Sequence, residues 1–288
     1  MAILLGLAVA AAYGSADFLG GLTSRRSPVL AVMATSQAAG ITLLAVVLAV
    51  LPDADPTRRD LLLGAGVGVV GCVAVGFLYR GLSVGRMSVV APVTAVGSAV
   101  LPVAWGVVAA GERPAAPAAL GVVLAVVAVV LVAGSSEAGG DETVAGRPPA
   151  ASPRTELLLA AGAGAGFGTG FVLLSETGDD AGLWPVAVSR PTSLVILLVL
   201  AAATRRSPLA ARPDRPLVAL SGVLDIAANA LFLAASRAGL LSVVAALAAL
   251  YPAGTVLLAR VVLDERLSRT QAAGLAVGAA GVALIASG

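Results

Sequence analysis

Three ionisable residues lie inside long apolar stretches of this sequence: Asp17, Arg190 and Asp225. A charge at the depth of a bilayer is costly unless it is paired or hydrated, so each is a candidate functional group. By helical rise, Arg190 lies ~4–5 Å from the middle of its stretch and Asp225 within ~3 Å of the middle of the next. Opposite charges at one depth predict that the two side chains meet. Asn229 lies one helical turn beyond Asp225 on the same face.

The Arg190 and Asp225 pair has two interpretations. It could be a buried ion pair that holds two helices together, or it could line a water-filled pathway with Asn229 as a neutral hydrogen-bonding group. We favour the pathway. Asp17 lies ~7 Å from the middle of its stretch by the same arithmetic. It is therefore either an interfacial charge that water reaches or, like Asp225, a group that could carry a coupling proton.

The residue types that are missing exclude most catalytic chemistry. The chain has no His, and all of its basic residues are Arg, so the usual general bases and a phosphate-binding Lys loop are absent. A single Cys, Cys72, allows neither an intrachain disulfide nor a cysteine metal cluster. No two carboxylates lie close in sequence at membrane depth. We therefore predict no metal, no cofactor and no enzyme activity, and the net charge of +2 predicts no nucleic acid partner.

The elements that carry these residues are long apolar runs. The sequence is 59% hydrophobic and 12% charged, whereas soluble domains are about a quarter charged. Runs near twenty residues fit a helix that crosses a hydrocarbon core of about 30 Å, and backbone groups in lipid must be satisfied within the segment. We predict an all-α integral membrane protein with ten transmembrane helices at 2–22, 29–51, 61–79, 88–109, 117–135, 156–175, 183–203, 217–236, 240–261 and 270–287.

Loop charges predict the orientation of the chain. Most loop arginines, such as Arg25, Arg86, Arg154 and Arg212, fall in odd-numbered loops. Because positive residues favour the cytoplasmic side, we expect a multi-pass protein of the cell membrane with both termini outside. The longest connector, 136–155, is rich in Gly, Pro and Ala and is predicted to be a flexible linker between five runs and five runs.

Sequence motifs recur between the two halves. Ser88-Val89-Val90-Ala91 opens the fourth run, and Ser242-Val243-Val244-Ala245 opens the ninth. Because each half has an odd number of helices, a repeat of five places the second half upside down relative to the first. We therefore predict two inverted five-helix repeats, an arrangement that builds two equivalent gates around a midplane site in many carriers.

The sequence resembles the EamA-type transporters of the drug/metabolite transporter superfamily. The resemblance rests on Tyr13-Gly14-Ser15, Tyr79-Arg80-Gly81-Leu82, Ser88-Val89-Val90-Ala91-Pro92, Arg190, Tyr251-Pro252 and Glu265-Arg266. It implies EamA-like units at 1–135 and 156–288. It also implies that Tyr79, Phe232 and Tyr251 line a solute pathway, although each could be an ordinary core aromatic.

The functional expectation is a secondary transporter that moves a small metabolite by alternating access. The amino-acid-like substrate class and the export direction come only from the resemblance. The alternatives are a membrane scaffold or sensor that does not transport and, less favoured, an intramembrane enzyme. The expected partners are a small-molecule solute and the lipid bilayer. The small-xxx-small pattern of Gly274 and Gly278 also suggests a homodimer through that helix face.

Overall fold

A computed structural model describes residues 2–50, 54–108, 151–238, 251–264 and 269–287, together with several positions between 116 and 131. All regular structure in these residues is helical. The helices are α1 (Ala2–Ser24), α2 (Val29–Val50), α3 (Arg58–Val84), α4 (Met87–Val108), α5 (Pro153–Ser175), α6 (Trp184–Ala203), α7 (Arg215–Ala238), α8 (Tyr251–Leu263) and α9 (Arg269–Ser287). A short 3₁₀ turn, Asp179–Ala181, lies between α5 and α6.

The predicted apolar runs that lie within the described residues coincide with these helices. Four segments are long and apolar enough to cross a membrane: Val29–Val50, Arg58–Val84, Pro153–Leu174 and Trp184–Ala203. Shorter apolar helical segments occur at Val89–Ser98 and Ala272–Gly281. The all-helical prediction is confirmed for the described residues. Much of the runs 117–135 and 240–261, and of the predicted linker 136–155, falls outside the described residues, so the count of ten helices stays a prediction.

Two helices begin earlier than hydropathy alone predicts, because polar caps lie outside the apolar runs. At the start of α3, Thr57 and Asp60 form a capping box in which each side chain accepts a hydrogen bond from the other residue's backbone N–H. At the start of α5, the Ser152 hydroxyl accepts from the Thr155 N–H, and Pro153 occupies the first turn, where its missing N–H costs nothing. These caps satisfy the N–H groups that every helix start leaves unpaired.

Helices from the two halves interlock. Helix α1 packs on α7 and α8, and in the corresponding way α5 packs on α3 and α4. Helix α3 packs on α6, and correspondingly α7 packs on α2, while the pairs α2–α6 and α4–α8 also touch. If each helix is replaced by the helix that has the same place in the other half, the same set of contacting pairs results. The bundle core therefore lies between the halves.

Two glycines mark close helix crossings, and they occupy equivalent positions (222 − 68 = 154). A methyl group on Gly68 of α3 would lie 2.5 Å from the Ser189 carbonyl oxygen of α6. A methyl group on Gly222 of α7 would collide with the Ser36 carbonyl oxygen of α2. Small residues let membrane helices approach in this way. The motif offset is the same (242 − 88 = 154), so the repeat in sequence coincides with a repeat in packing.

One end of the bundle gathers the segments between α1 and α2, between α3 and α4, and before α5. Arg25 Nε donates to the Leu82 carbonyl at 3.2 Å. The Ala151 N–H donates to the Val84 carbonyl at 2.9 Å. Arg86, a further arginine of this end, forms a 3.2 Å ion pair with the nearly buried Glu156. We call this end the arginine-rich end.

The opposite end joins the segment before α3 to the segment after α5. The Asp55 N–H donates to the Asp180 carbonyl at 3.0 Å, and Arg59 forms an exposed 3.0 Å ion pair with Glu176. Among the described segments, those that follow α1, α3 and α6 thus lie at one end, and those that follow α2 and α5 lie at the other. This is the alternation that a multi-spanning bundle requires.

A buried aspartate joins the two halves at each end, and the two aspartates are equivalent by position (214 − 60 = 154). Asp60, in the first turn of α3, accepts from the Gly178 N–H at 2.8 Å. Asp214, just before α7, accepts from the Ser27 hydroxyl at 2.7 Å. Each aspartate is only 4% exposed. Gly178 follows the first helix of the second half, and Ser27 follows the first helix of the first half. We call these two hydrogen bonds the end contacts.

The predicted homodimer face is occupied within the chain. Gly274 and Gly278 of α9 are both buried. A methyl group on Gly278 would lie 3.3 Å from the Ala128 Cβ and 3.7 Å from a Val96 methyl group of α4. Because this face already packs inside the monomer, it gives no support to the predicted dimer.

Candidate functional site

The sequence-predicted meeting of Arg190 and Asp225 occurs in the structure. An Arg190 terminal nitrogen on α6 lies 2.7 Å from an Asp225 carboxylate oxygen on α7. The Arg190 side chain is 18% exposed and the Asp225 side chain 33% exposed. The pair is therefore neither sealed in the core nor free on the surface.

The arginine keeps hydrogen-bonding capacity after this pair forms. Its Nε is buried, and among the described residues no group accepts a hydrogen bond from it. A guanidinium carries five N–H donors in a planar fork, and a buried donor without an acceptor is costly. Because the Nε is enclosed in this conformation, a polar solute group could reach it only after the surrounding helices separate.

Helix α1 adds a carboxylate and an aromatic ring to this region. Tyr13 and Asp17 lie one turn apart on the same face of α1. The Tyr13 ring meets the Tyr251 ring of α8 edge to face, with 6.3 Å between centroids and 65° between planes. Tyr13 also lies within electrostatic reach of Asp17, Arg190 and Asp225. The structure thus brings together residues from α1, α6, α7 and α8.

Tyr79 completes the site from helix α3. Its ring lies directly on Gly20, one turn beyond Asp17, so that any side chain at Gly20 would collide with it. The Tyr79 hydroxyl lies 3.2 Å from the Ser221 hydroxyl of α7, which in turn donates to the Ala16 carbonyl at 2.8 Å. Since the Ser221 proton is used by Ala16, Tyr79 is the donor between the two hydroxyls. The link fixes α1, α3 and α7 at one level.

Ser221 is a site residue that sequence reasoning missed. It lies one helical turn before Asp225, on the same face of α7. The sequence signal was available, because a serine spaced four residues from an intramembrane aspartate shares its face. Asn229 and Phe232 also lie on α7, but their side chains are outside the described part of the chain. The predicted contribution of these two residues therefore stays a prediction.

The spanning helices, the apolar surface and this internal polar cluster define an integral membrane protein. Its two halves match the EamA-like transporter family over residues 1–134 and 154–287. The chain belongs to this family, and it is therefore a membrane transporter of the drug/metabolite type rather than a member of an enzyme family. The family resemblance seen in the sequence is confirmed.

Solved structures show the same fold. One of them, described only as "Crystal structure of protein", is 17% identical to this chain, with a TM-score of 0.61. The alignment covers 99% of this chain and 98% of the other. At this identity the similarity concerns the fold alone. The comparison with curated proteins gave no match.

Proposed function

We propose that this protein is a secondary transporter that exports a small, amino-acid-like metabolite across the cell membrane by alternating access. The observation that carries the proposal is the Arg190–Asp225 ion pair, because it is accessible yet lies among helices of both halves. Its neighbours Tyr13 and Asp17 lie on α1, and its neighbour Tyr251 lies on α8. These two helices belong to different halves and pack on each other. A solute bound there would contact both moving parts of a carrier.

Two inverted five-helix repeats, 1–135 and 156–288, supply the alternating gates in this proposal. Support comes from the helix pairs that persist when the halves are exchanged and from the glycine crossings at Gly68 and Gly222. Inverted repeats of this type allow one half to rock against the other around a central site.

The end contacts are the parts that must open and close. Asp214 with Ser27 joins the halves at the arginine-rich end, and Asp60 with Gly178 joins them at the opposite end. Each carboxylate is buried, so a separated aspartate must find water or another donor in the open state. Access to one side would require breaking one contact while the other persists.

The arginine-rich end is the cytoplasmic end in this proposal, which places both termini outside. The bias follows from Arg25 and Arg86, which lie at this end, and from the excess of arginine in the odd-numbered loops of the sequence. Asp17 and Asp225 are the proposed proton carriers.

Efflux from proteoliposomes tests transport directly. Vesicles that contain the protein are loaded with a labelled amino acid mixture, and retention is compared with that of protein-free vesicles. The matched control is an Arg59→Ala variant, which removes an exposed ion pair far from the site. Faster loss with both proteins is expected, whereas retention equal to that of empty vesicles would favour the scaffold or sensor alternative.

Alternating access is tested by joining each end contact covalently. Cysteine pairs at Ser27 and Asp214, or at Asp60 and Gly178, are introduced with Cys72→Ser and joined with a short thiol cross-linker. Either cross-link should stop efflux, and cleavage of a reducible linker should restore it. Unchanged efflux with one end joined would contradict a cycle in which both ends open in turn.

A further inference from the structure

The three tyrosines of the chain all lie within electrostatic reach of one carboxylate, Asp17. The sequence contains only Tyr13, Tyr79 and Tyr251, and they come from α1, α3 and α8. Along one face of α1, Asp17 lies one turn after Tyr13 and one turn before Gly20, on which the Tyr79 ring lies. Tyr251 packs on Tyr13 from α8. Three helices thus contribute their only tyrosines to the level of Asp17.

The charges in this region do not balance. Arg190 is bound to Asp225 at 2.7 Å, so that pair is close to neutral as a unit. Among the described residues, Asp17 takes part in none of the ion pairs. The Asp17 side chain is partly exposed, whereas Tyr79 is only 6% exposed. With Asp17 ionised, the site carries one excess negative charge that a bound group can reach.

A carboxylate next to aromatic rings can bind an organic cation. A cation within ≈ 6 Å of a tyrosine ring centroid is attracted by the negative face of the ring. The Tyr13 and Tyr251 rings meet edge to face, with 6.3 Å between centroids and 65° between planes, so a group that sits beside them in the angle they form can contact both rings. An organic ammonium group fits, because its charge neutralises Asp17 while its carbon part packs on the rings. A small anion would face the excess negative charge.

We propose that Asp17, Tyr13 and Tyr251 form the binding subsite for the ammonium group of an organic amine, held by the carboxylate and the two rings. Tyr79 closes this subsite on the side of Gly20, with its hydroxyl fixed by Ser221. The inference rests on the proposed transport function and narrows its substrates to solutes that carry an ammonium group.

Binding to the purified full-length protein tests the subsite. The probes are phenethylamine, the neutral 2-phenylethanol and the anionic 3-phenylpropionate, which share a phenyl ring and differ in charge. Phenethylamine alone should raise the melting temperature, since only ligands of the folded state do so. Asp17→Asn should weaken its binding by about tenfold or more, a ratio that corresponds to the loss of one close charge pair. Asp180→Asn, an exposed loop control, should bind as the wild type does.

Tyrosine variants provide a test that does not depend on Asp17. Tyr251→Phe keeps the aromatic face and should retain binding, whereas Tyr251→Leu should lower it by about threefold or more. If Asp17→Asn does not fold, this pair alone decides the question. Equal binding by both Tyr251 variants would overturn the proposal, as would unchanged binding by a folded Asp17→Asn protein.

The remaining outcomes separate this inference from the transport proposal. Stronger binding of 3-phenylpropionate than of phenethylamine would overturn the subsite and assign recognition to Arg190 and its unpaired Nε. Absence of amine binding together with amino acid efflux would overturn the subsite and leave transport standing. Amine binding that depends on Asp17, in a protein without efflux, would support the subsite and contradict transport.

Discussion

Replacing Arg190 by Ala separates a structural ion pair from one that lines a pathway. At an effective dielectric of about 20, unit charges ~4 Å apart attract by about 4 kcal/mol before desolvation is subtracted. Breaking a fully buried pair costs ~3–5 kcal/mol, because the remaining charge stays unsolvated. Exposed pairs contribute ~0–1 kcal/mol. The Arg190 and Asp225 side chains are 18% and 33% exposed, which places this pair between the two limits.

We therefore expect Arg190→Ala to lower the free energy of unfolding by about 1–2 kcal/mol, since water can solvate the remaining Asp225. For a protein of this size that corresponds to a fall in melting temperature of about 5 °C. Amino acid efflux should nevertheless be lost, because the solute loses its charged contact. The assay is the melting temperature and proteoliposome efflux of the same preparation. Arg59→Ala is the control, and it should change neither quantity appreciably.

A double replacement tests the same reasoning from the other side. If Arg190 and Asp225 only hold α6 and α7 together, Arg190→Leu with Asp225→Met should restore stability and efflux, because apolar residues often replace a structural pair. If they line the pathway, the double variant should be stable and inactive. Normal efflux from a folded Arg190→Ala protein would refute the pathway assignment. A fall in melting temperature of well over 10 °C would refute the estimate of partial solvation.

Three further predictions concern orientation, packing and coupling. In a Cys72→Ser background, a cysteine at the exposed Ser207 should be protected from an impermeant thiol reagent in intact cells, whereas a cysteine at Asp180 should react. The reverse pattern would show that the chain has the opposite orientation in the membrane. Gly222→Ala should lower the free energy of unfolding by about 1–3 kcal/mol, because the added methyl group meets the backbone of α2. The control, Gly71→Ala, adds its methyl group in open space and should be neutral or stabilising. Equal melting temperatures of the two variants would contradict the close crossing. If protons drive export through a titrating carboxylate, a protonophore should slow efflux from vesicles that carry a pH gradient, and an unchanged rate would exclude proton coupling.

The sequence alone determined the class of protein and most of its helices. Hydropathy over about twenty residues is a local property, and in lipid it leaves the helix as the structure that satisfies the backbone within one segment. The same local reasoning singled out Arg190 and Asp225, because a charge within an apolar run is visible without knowledge of its neighbours. Their common depth followed from helical rise.

Tertiary structure decided which side chains share a site. Ser221 and Tyr79 are 142 positions apart, and their hydrogen bond exists only because α3 and α7 cross α1 at one level. The face of Gly278 was ambiguous in sequence, since a small-residue face fits contact within the chain as well as contact between copies. Its contact with Val96 follows from the placement of α9 beside α4.

The end contacts show the same division between local and long-range information. Asp60 forms a capping box with Thr57 at the start of α3, which is a local role. Its second partner, Gly178, lies 118 positions away, and its equivalence to Asp214 appears only when the two ends of the bundle are compared. A cap is set by neighbours three residues apart, whereas a contact between halves is set by the packing of whole helices. The sequence could therefore supply the first and not the second.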